Sequence, residues 1–98
     1  MEVQKGDIVL SLNGRDKGRA LFVLDLEGEY VLLADGKSRR TEHPKRKKKK
    51  HCMFLARIES RTAEKLRNGD KVGNSEVRKT LATFCAGAAD AQPLTGGG

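Results

Sequence analysis

Six consecutive cations, Lys45, Arg46, Lys47, Lys48, Lys49 and Lys50, are the densest concentration of chemistry in the chain. Their most direct counterpart is the closely spaced phosphates of a nucleic acid, where each neutralised phosphate releases counterions. Lysine is a hydrated point charge, so the run suits phosphate contact more than base readout. A second cationic group, Arg15, Lys17 and Arg19, surrounds Gly18. That glycine supplies either a positive φ or a close backbone approach at a strand start. Three cations on one rigid turn make a phosphate clamp, because Arg grips a phosphate through two N–H groups. Lys37, Arg39 and Arg40 lie between the two groups in sequence and complete the set of expected nucleic-acid contacts, Arg15, Lys17, Gly18, Arg19, Lys37, Arg39, Arg40 and 45–50.

Other chemistries fit less well. His43, His51, Cys52 and Cys85 are the metal and thiol candidates. Structural zinc takes paired, closely spaced ligands, and the sequence has no Cys-x-x-Cys. Cys52 falls on the apolar phase of a strand, where thiols are inert, and its neighbour His51 points to the opposite face, wrongly placed for proton transfer. The glycines lie at turns, with no phosphate loop of the P-loop or dinucleotide type. A non-enzymatic protein with neither metal nor cofactor is expected.

These cations belong to a chain of 98 residues with 20 Lys+Arg against 13 Asp+Glu, a net charge of +7. That length is one small domain or one domain plus tails, too short for a large core with a deep cleft. The charge is uneven. Residues 1–36 carry four basic and seven acidic residues, a balance of −3, whereas residues 37–50 carry nine basic residues against Glu42 alone, a balance of +8. A block so charged repels itself and resists burial, and Pro44 breaks regular pairing, so residues 37–51 are expected to form a mobile basic loop. A solvated segment, an import signal over Pro44–Lys50 in a eukaryotic cell, and attraction to anionic membrane are the competing uses of the run. No apolar anchor adjoins it, and no apolar stretch approaches the ~20 residues of a membrane span. The N terminus, Met1 to Lys5, lacks the layout of a signal peptide, and Cys52 and Cys85 read as reduced thiols, so a cytoplasmic protein is expected.

The elements that must hold the cations are short strands. Ile8–Leu12, Ala20–Leu26 and Tyr30–Leu33 are separated by Asn13-Gly14, Lys17-Gly18 and Glu27-Gly28-Glu29, with Asp35-Gly36 closing the third, a hairpin-like antiparallel series. In the second strand Phe22, Leu24 and Leu26 share one phase and Leu21 and Val23 the other, so the strand is apolar on both faces. One face fills a core and the other needs a cover, either a later element of this chain or a partner. Cys52–Ile58 reads as a fourth strand, with Cys52, Phe54, Ala56 and Ile58 in its apolar phase. A short helix from the N-cap Ser60 to Asn68 ends at Gly69. A second helix, Ser75–Ala86 with Asn74 as N-cap, buries Val77, Leu81, Phe84 and Cys85, stops at Gly87 and leaves 87–98 as a frayed tail.

Gly6-Asp7, the alternating strand after it, Lys17-Gly18-Arg19, the second strand and the closing Tyr30 to Gly36 together resemble a KOW motif, over about the first third of the chain. Leu21 stands where many KOW motifs have a second glycine. The whole chain is similar to small bacterial KOW-domain RNA-binding proteins, and these to the N-terminal domain of certain archaeal and eukaryotic large-subunit ribosomal proteins. The stretch Gly69 to Leu81, with Lys71, Val72, Asn74, Ser75, Glu76, Val77, Arg78 and Lys79, fits the bacterial group. The resemblance implies a mainly β fold, a small SH3-like β-barrel with one or two C-terminal helices, binding structured and typically ribosomal RNA as a cytoplasmic, ribosome-associated monomer. NusG-type relatives use the motif to touch RNA polymerase, ribosomal protein or RNA, and an uncovered face of the second strand would serve an adaptor role here. The four aromatic residues, Phe22, Tyr30, Phe54 and Phe84, are mostly needed for the core. Recognition through the backbone and shape of folded RNA is therefore expected, with little base stacking. Arg78 and Lys79 stand as peripheral contacts.

Overall fold

Alternating apolar residues and turn glycines divide the first half of the chain into strands. A computed structural model describes residues 3–58 and 60–95, with side chains through residue 85. Strands β1 (Asp7–Ser11), β2 (Ala20–Glu27), β3 (Tyr30–Ala34), β4 (Lys45–Lys48) and β5 (Cys52–Arg57) form one antiparallel sheet in the order β4-β3-β2-β1-β5. A 3-10 turn at Lys49–His51 follows β4, and the helices α1 (Arg61–Arg67) and α2 (Asn74–Thr95) complete the chain. The protein is mainly β, with three strands and a fourth where the alternation put them.

Several features differ from the reading of the sequence. First, residues 37–51 are not all loop: Lys45–Lys48 form β4, paired to β3 along its whole length. The repulsion within the run is relieved because a strand sends successive side chains to opposite faces. Second, the sheet is not a closed barrel. No ladder joins its edges β4 and β5, although only Lys49–His51 separate them in the chain. Lysines on an edge strand discourage further pairing. Near this opening the end of β1 contacts both flanking segments: Leu12 N–H donates to the His51 carbonyl at 2.9 Å, continuing the β1–β5 ladder, and Lys47 Nζ of β4 reaches the Asn13 carbonyl at 2.9 Å.

Both faces of β2 are buried, and the cover for the second comes from this chain. Phe22 and Ile8 pack with Leu66, Val72, Val77 and Leu81 from α1, α2 and their connection. Leu21 and Val23 pack with Val9, Val31 and Leu33 on the other face. The bare apolar face that motivated the adaptor reading is thus occupied by helix. Two bulges alter the phases expected from alternation. Val23 faces Leu33 but Asp25 faces Leu32, and the extra residue moves Leu26 into the cluster of Val23 instead of that of Phe22. In β5 the register slips between Ile8 and Val9, so Leu55 joins Ile58 against the helices while Cys52 packs on the opposite face.

Ser60 caps α1, its hydroxyl accepting from Ala63 N–H at 3.1 Å, and Gly69 follows the helix at φ 87°. Gly6 lets this helix approach β1: a Cβ there would lie 2.8 Å from Ala63 Cβ. At the start of α2 the cap differs from expectation. Glu76 Oε2 accepts from Gly73 N–H at 3.0 Å, the reciprocal half of a capping box, and the Asn74 side chain turns to another task described below. The far end also differs, since α2 continues through Gly87 to Thr95. The alanines after Gly87 favour helix, and one interior glycine costs only about 1 kcal/mol. The remaining part of the expected tail, 96–98, lies outside the described residues.

Asp7 is fully buried. Its oxygens accept from Arg57 Nε at 2.9 Å and Nη2 at 3.1 Å, and Oδ2 also accepts from Gln4 N–H at 2.7 Å. The opening Gly6-Asp7 pair is therefore structural, joining β1 to α1 through one residue and to β5 through the other.

Candidate nucleic-acid interface

The turn after β1 owes its shape to glycine. Gly18 adopts φ 84°, a conformation costly for residues with a side chain, while the space around its missing Cβ is open. Of the two roles open to it, positive φ is the one it fills. Its N–H donates to the Ser11 carbonyl at 2.9 Å, and Ser11 N–H donates to the Arg19 carbonyl at 3.0 Å. Arg15, Lys17 and Arg19 project from this hairpin into solvent. Asp16 between them is buried and accepts from Arg39 Nη2 at 3.3 Å. Arg19 is partly neutralised by Asp35 at 3.7 Å and bonds the Ser38 hydroxyl at 3.4 Å.

The segment between β3 and β4 is held at several points. Asp35 Oδ1 accepts from the backbone N–H groups of Lys37 and Arg39, both at 2.8 Å. Arg78 Nη1 donates to the Gly36 carbonyl at 2.8 Å, and a Cβ on Gly36 would collide with the Asn74 carbonyl and Arg78. Asn74 Oδ1 accepts from Thr41 N–H at 2.8 Å while its Nδ2 donates to Glu42 Oε1 at 2.6 Å. Asn74 and Arg78 thus fasten this segment to α2, and the guanidinium expected as a peripheral RNA contact has a structural use.

Glu42 collects hydrogen bonds from Asn74, Thr41 and Arg40, and they lower its carboxyl from 4.5 to about 2. A depressed carboxylate contributes stability that is present above its ordinary range and lost as pH falls through the folded value. Between about pH 4.5 and 2 the tether of Thr41 and Glu42 to α2 is therefore expected to weaken. Carboxyl NMR titration checks this: Glu42 should titrate near 2, and in Asn74→Ala its midpoint should move up toward 4.5. An unchanged midpoint in that variant would remove Asn74 as the main cause.

Along β4 the cations alternate. Lys45 and Lys47 lie opposite Leu33 and Val31, whereas Arg46 and Lys48 lie opposite Leu32 and Tyr30. Lys47 is 8% exposed, and its ammonium donates to the Asn13 carbonyl at 2.9 Å and to Asn13 Oδ1 at 3.1 Å. Those bonds and its apolar stem make burial of the charge tolerable. They also fix the Asn13 amide, whose Nδ2 lies 2.7 Å from His51 Nδ1 and donates to it. Arg46 Nε donates to Glu27 Oε1 at 3.2 Å, and its guanidinium lies 3.8 Å from the centre of the Tyr30 ring.

Asn13 therefore joins the turn to the end of β4, and Asp16 and Ser38 join it to the segment carrying Lys37, Arg39 and Arg40. The expected residues fall at two turns and are not equivalent: Arg15, Lys17, Arg19 and Arg39 meet at the β1–β2 turn, whereas Arg46, Lys48 and Lys49 lie beside the β2–β3 turn, where Arg46 meets Glu27 and Lys49 N–H meets the Glu29 carbonyl. Arg19, Arg39, Arg40 and Arg46 have carboxylate partners, and Lys47 is buried. Arg15, Lys17, Lys37, Lys45, Lys48, Lys49 and Lys50 form no salt bridge among the described residues. Asn13 and Tyr30, which organise the site, were not among the expected site residues. The residue pairs that reveal them lie far apart in sequence, Asn13 with Lys47 and Tyr30 with Arg46.

Burial pushes the Cys52 thiol up from its ordinary value, which lowers its reactivity. Among the described residues no three His, Cys, Asp or Glu side chains converge as a metal site requires. The chain matches no known protein-family model and no curated protein sequence.

Proposed function

We propose that this protein binds folded RNA, typically ribosomal, by its backbone phosphates, as a cytoplasmic, ribosome-associated binding protein without a catalytic role of its own. The observation that carries this reading is a group of cations that form no salt bridge among the described residues, Arg15 and Lys17 on the hairpin, Lys37 after β3, and Lys45, Lys48, Lys49 and Lys50 on β4 and the 3-10 turn. The backbone under these charges is already set in a hydrogen-bonded turn, a strand and a 3-10 turn, so ordering it on binding costs less than ordering a free tail would. Lysine predominates, which favours phosphate over base edges. The resemblance of Gly6 to Gly36 to a KOW motif supports the choice of RNA over DNA.

The test is the salt dependence of affinity for a structured RNA. With about four phosphates neutralised, log K should fall against log salt with a slope of roughly −3 to −4. An affinity that is flat between ~50 and ~200 mM salt would refute phosphate binding. Ribosome co-sedimentation that survives RNA digestion would favour the adaptor reading instead.

A further inference from the structure

The end of the β2–β3 hairpin carries a flat cation beside a small basic depression. Glu27 pairs with Tyr30 across the turn, and Tyr30 with Lys48 across the next ladder. Arg46 lies diagonally over the Tyr30 ring at 3.8 Å, and Glu27 holds its Nε at 3.2 Å. The ring and the carboxylate fix the guanidinium plane, yet the side chain is 58% exposed. Lys48 Nζ stands 6.0 Å from the same ring centre. Lys48 also lines a depression of about 210 Å³ with Lys49, Lys50 and Glu29. Lys49 N–H donates to the Glu29 carbonyl at 2.8 Å, so the depression is anchored to the hairpin.

We infer that these two features receive one unpaired nucleotide, its base stacked on the Arg46 guanidinium and its phosphate held by Lys48 at the depression, with the next phosphates along the strand on Lys49 and Lys50. The inference rests on the RNA-binding reading and adds to it a preference for RNA with an unstacked base. A guanidinium plane offers a base a stacking surface that an ammonium does not. Tyr30 beneath it extends the stack through the cation–π contact. Phosphates bound only as charges would not distinguish a paired stem from an interrupted one, whereas this site does.

The test uses the full chain and three RNA hairpins: one with a single bulged adenosine, one with an abasic site at the bulge, and one fully paired. The wild-type protein should bind the bulged adenosine about tenfold more tightly than the abasic RNA, the scale of one base stacked on a side chain. Arg46→Lys keeps the charge and removes the plane. It should bind the abasic and paired RNAs as the wild type does and lose the tenfold preference. Equal wild-type affinity for the adenosine and abasic bulges overturns the inference while leaving phosphate binding in place. So does an Arg46→Lys protein that keeps the preference. Failure to bind any of the three RNAs overturns the RNA-binding reading and the inference together.

Discussion

Replacing Lys48, Lys49 and Lys50 together with Gln is expected to weaken binding to folded RNA by about a hundredfold near 0.1 M salt and to flatten the salt dependence by two to three units of slope. The magnitude follows from three phosphate contacts, each releasing close to one counterion. The fold should be unaffected, because none of the three side chains is buried or forms a salt bridge among the described residues. Lys47 belongs outside this set although it sits in the same run. Its ammonium is buried on the two oxygens of Asn13, so substituting it would disturb the junction between hairpin and strand and mix a folding defect into a binding measurement. Fluorescence anisotropy with a labelled hairpin, alongside circular dichroism, reads both effects. A triple variant with unchanged affinity and slope would place the RNA elsewhere.

Asp7→Ala is expected to lower stability by about 3 kcal/mol, enough to reduce the melting temperature by roughly 15 °C in a domain of this size. Asp7 is fully buried, and both of its oxygens accept hydrogen bonds from Arg57. Removing one member of such a pair leaves the other charge partly desolvated, which costs more than the net contribution of the pair. The double variant Asp7→Ala/Arg57→Ala should therefore lose less than the sum of the single losses. Thermal denaturation of the three variants checks this. Additive losses would show that the two residues act separately.

Much of the strand layout follows from local signals. Ile8, Val9, Leu21 and Phe22 alternate as a sheet buried on both faces requires, and Ser60 and Gly69 bracket α1 as their capping chemistry dictates. What local signals miss has identifiable physical causes. A bulge adds one residue without changing composition, so nothing in Leu24-Asp25-Leu26 announces that Leu26 changes face. Strand β4 is hidden because lysine is a poor strand former, and its pairing depends on β3 offering a free edge. The burial of Lys47 depends on Asn13, 34 positions away. Asn74 has the composition of a cap, but Thr41 and Glu42 compete for its amide and win. The candidate site was legible as a set of cations. Their division into bound, buried and available charges was not, because it is decided by carboxylates and carbonyls contributed from other elements.

The strand order also sets when the molecule can become itself. β1, first to be made, lies between β2 and β5, and its ladder to β5 joins Asp7 to Arg57. As the chain is synthesised, the meander β1 to β4 is available once Lys48 has emerged, with one edge of β1 still bare. Phe22 and Ile8 stay uncovered longer, until Val77 and Leu81 have been added. For that interval the nascent protein presents an unpaired strand edge and an apolar face, the surfaces most prone to misassociation. The cationic hairpin and β4 are already present by then. Those charges are thus in place before the core is sealed, and like charge on two unfinished chains would oppose their association.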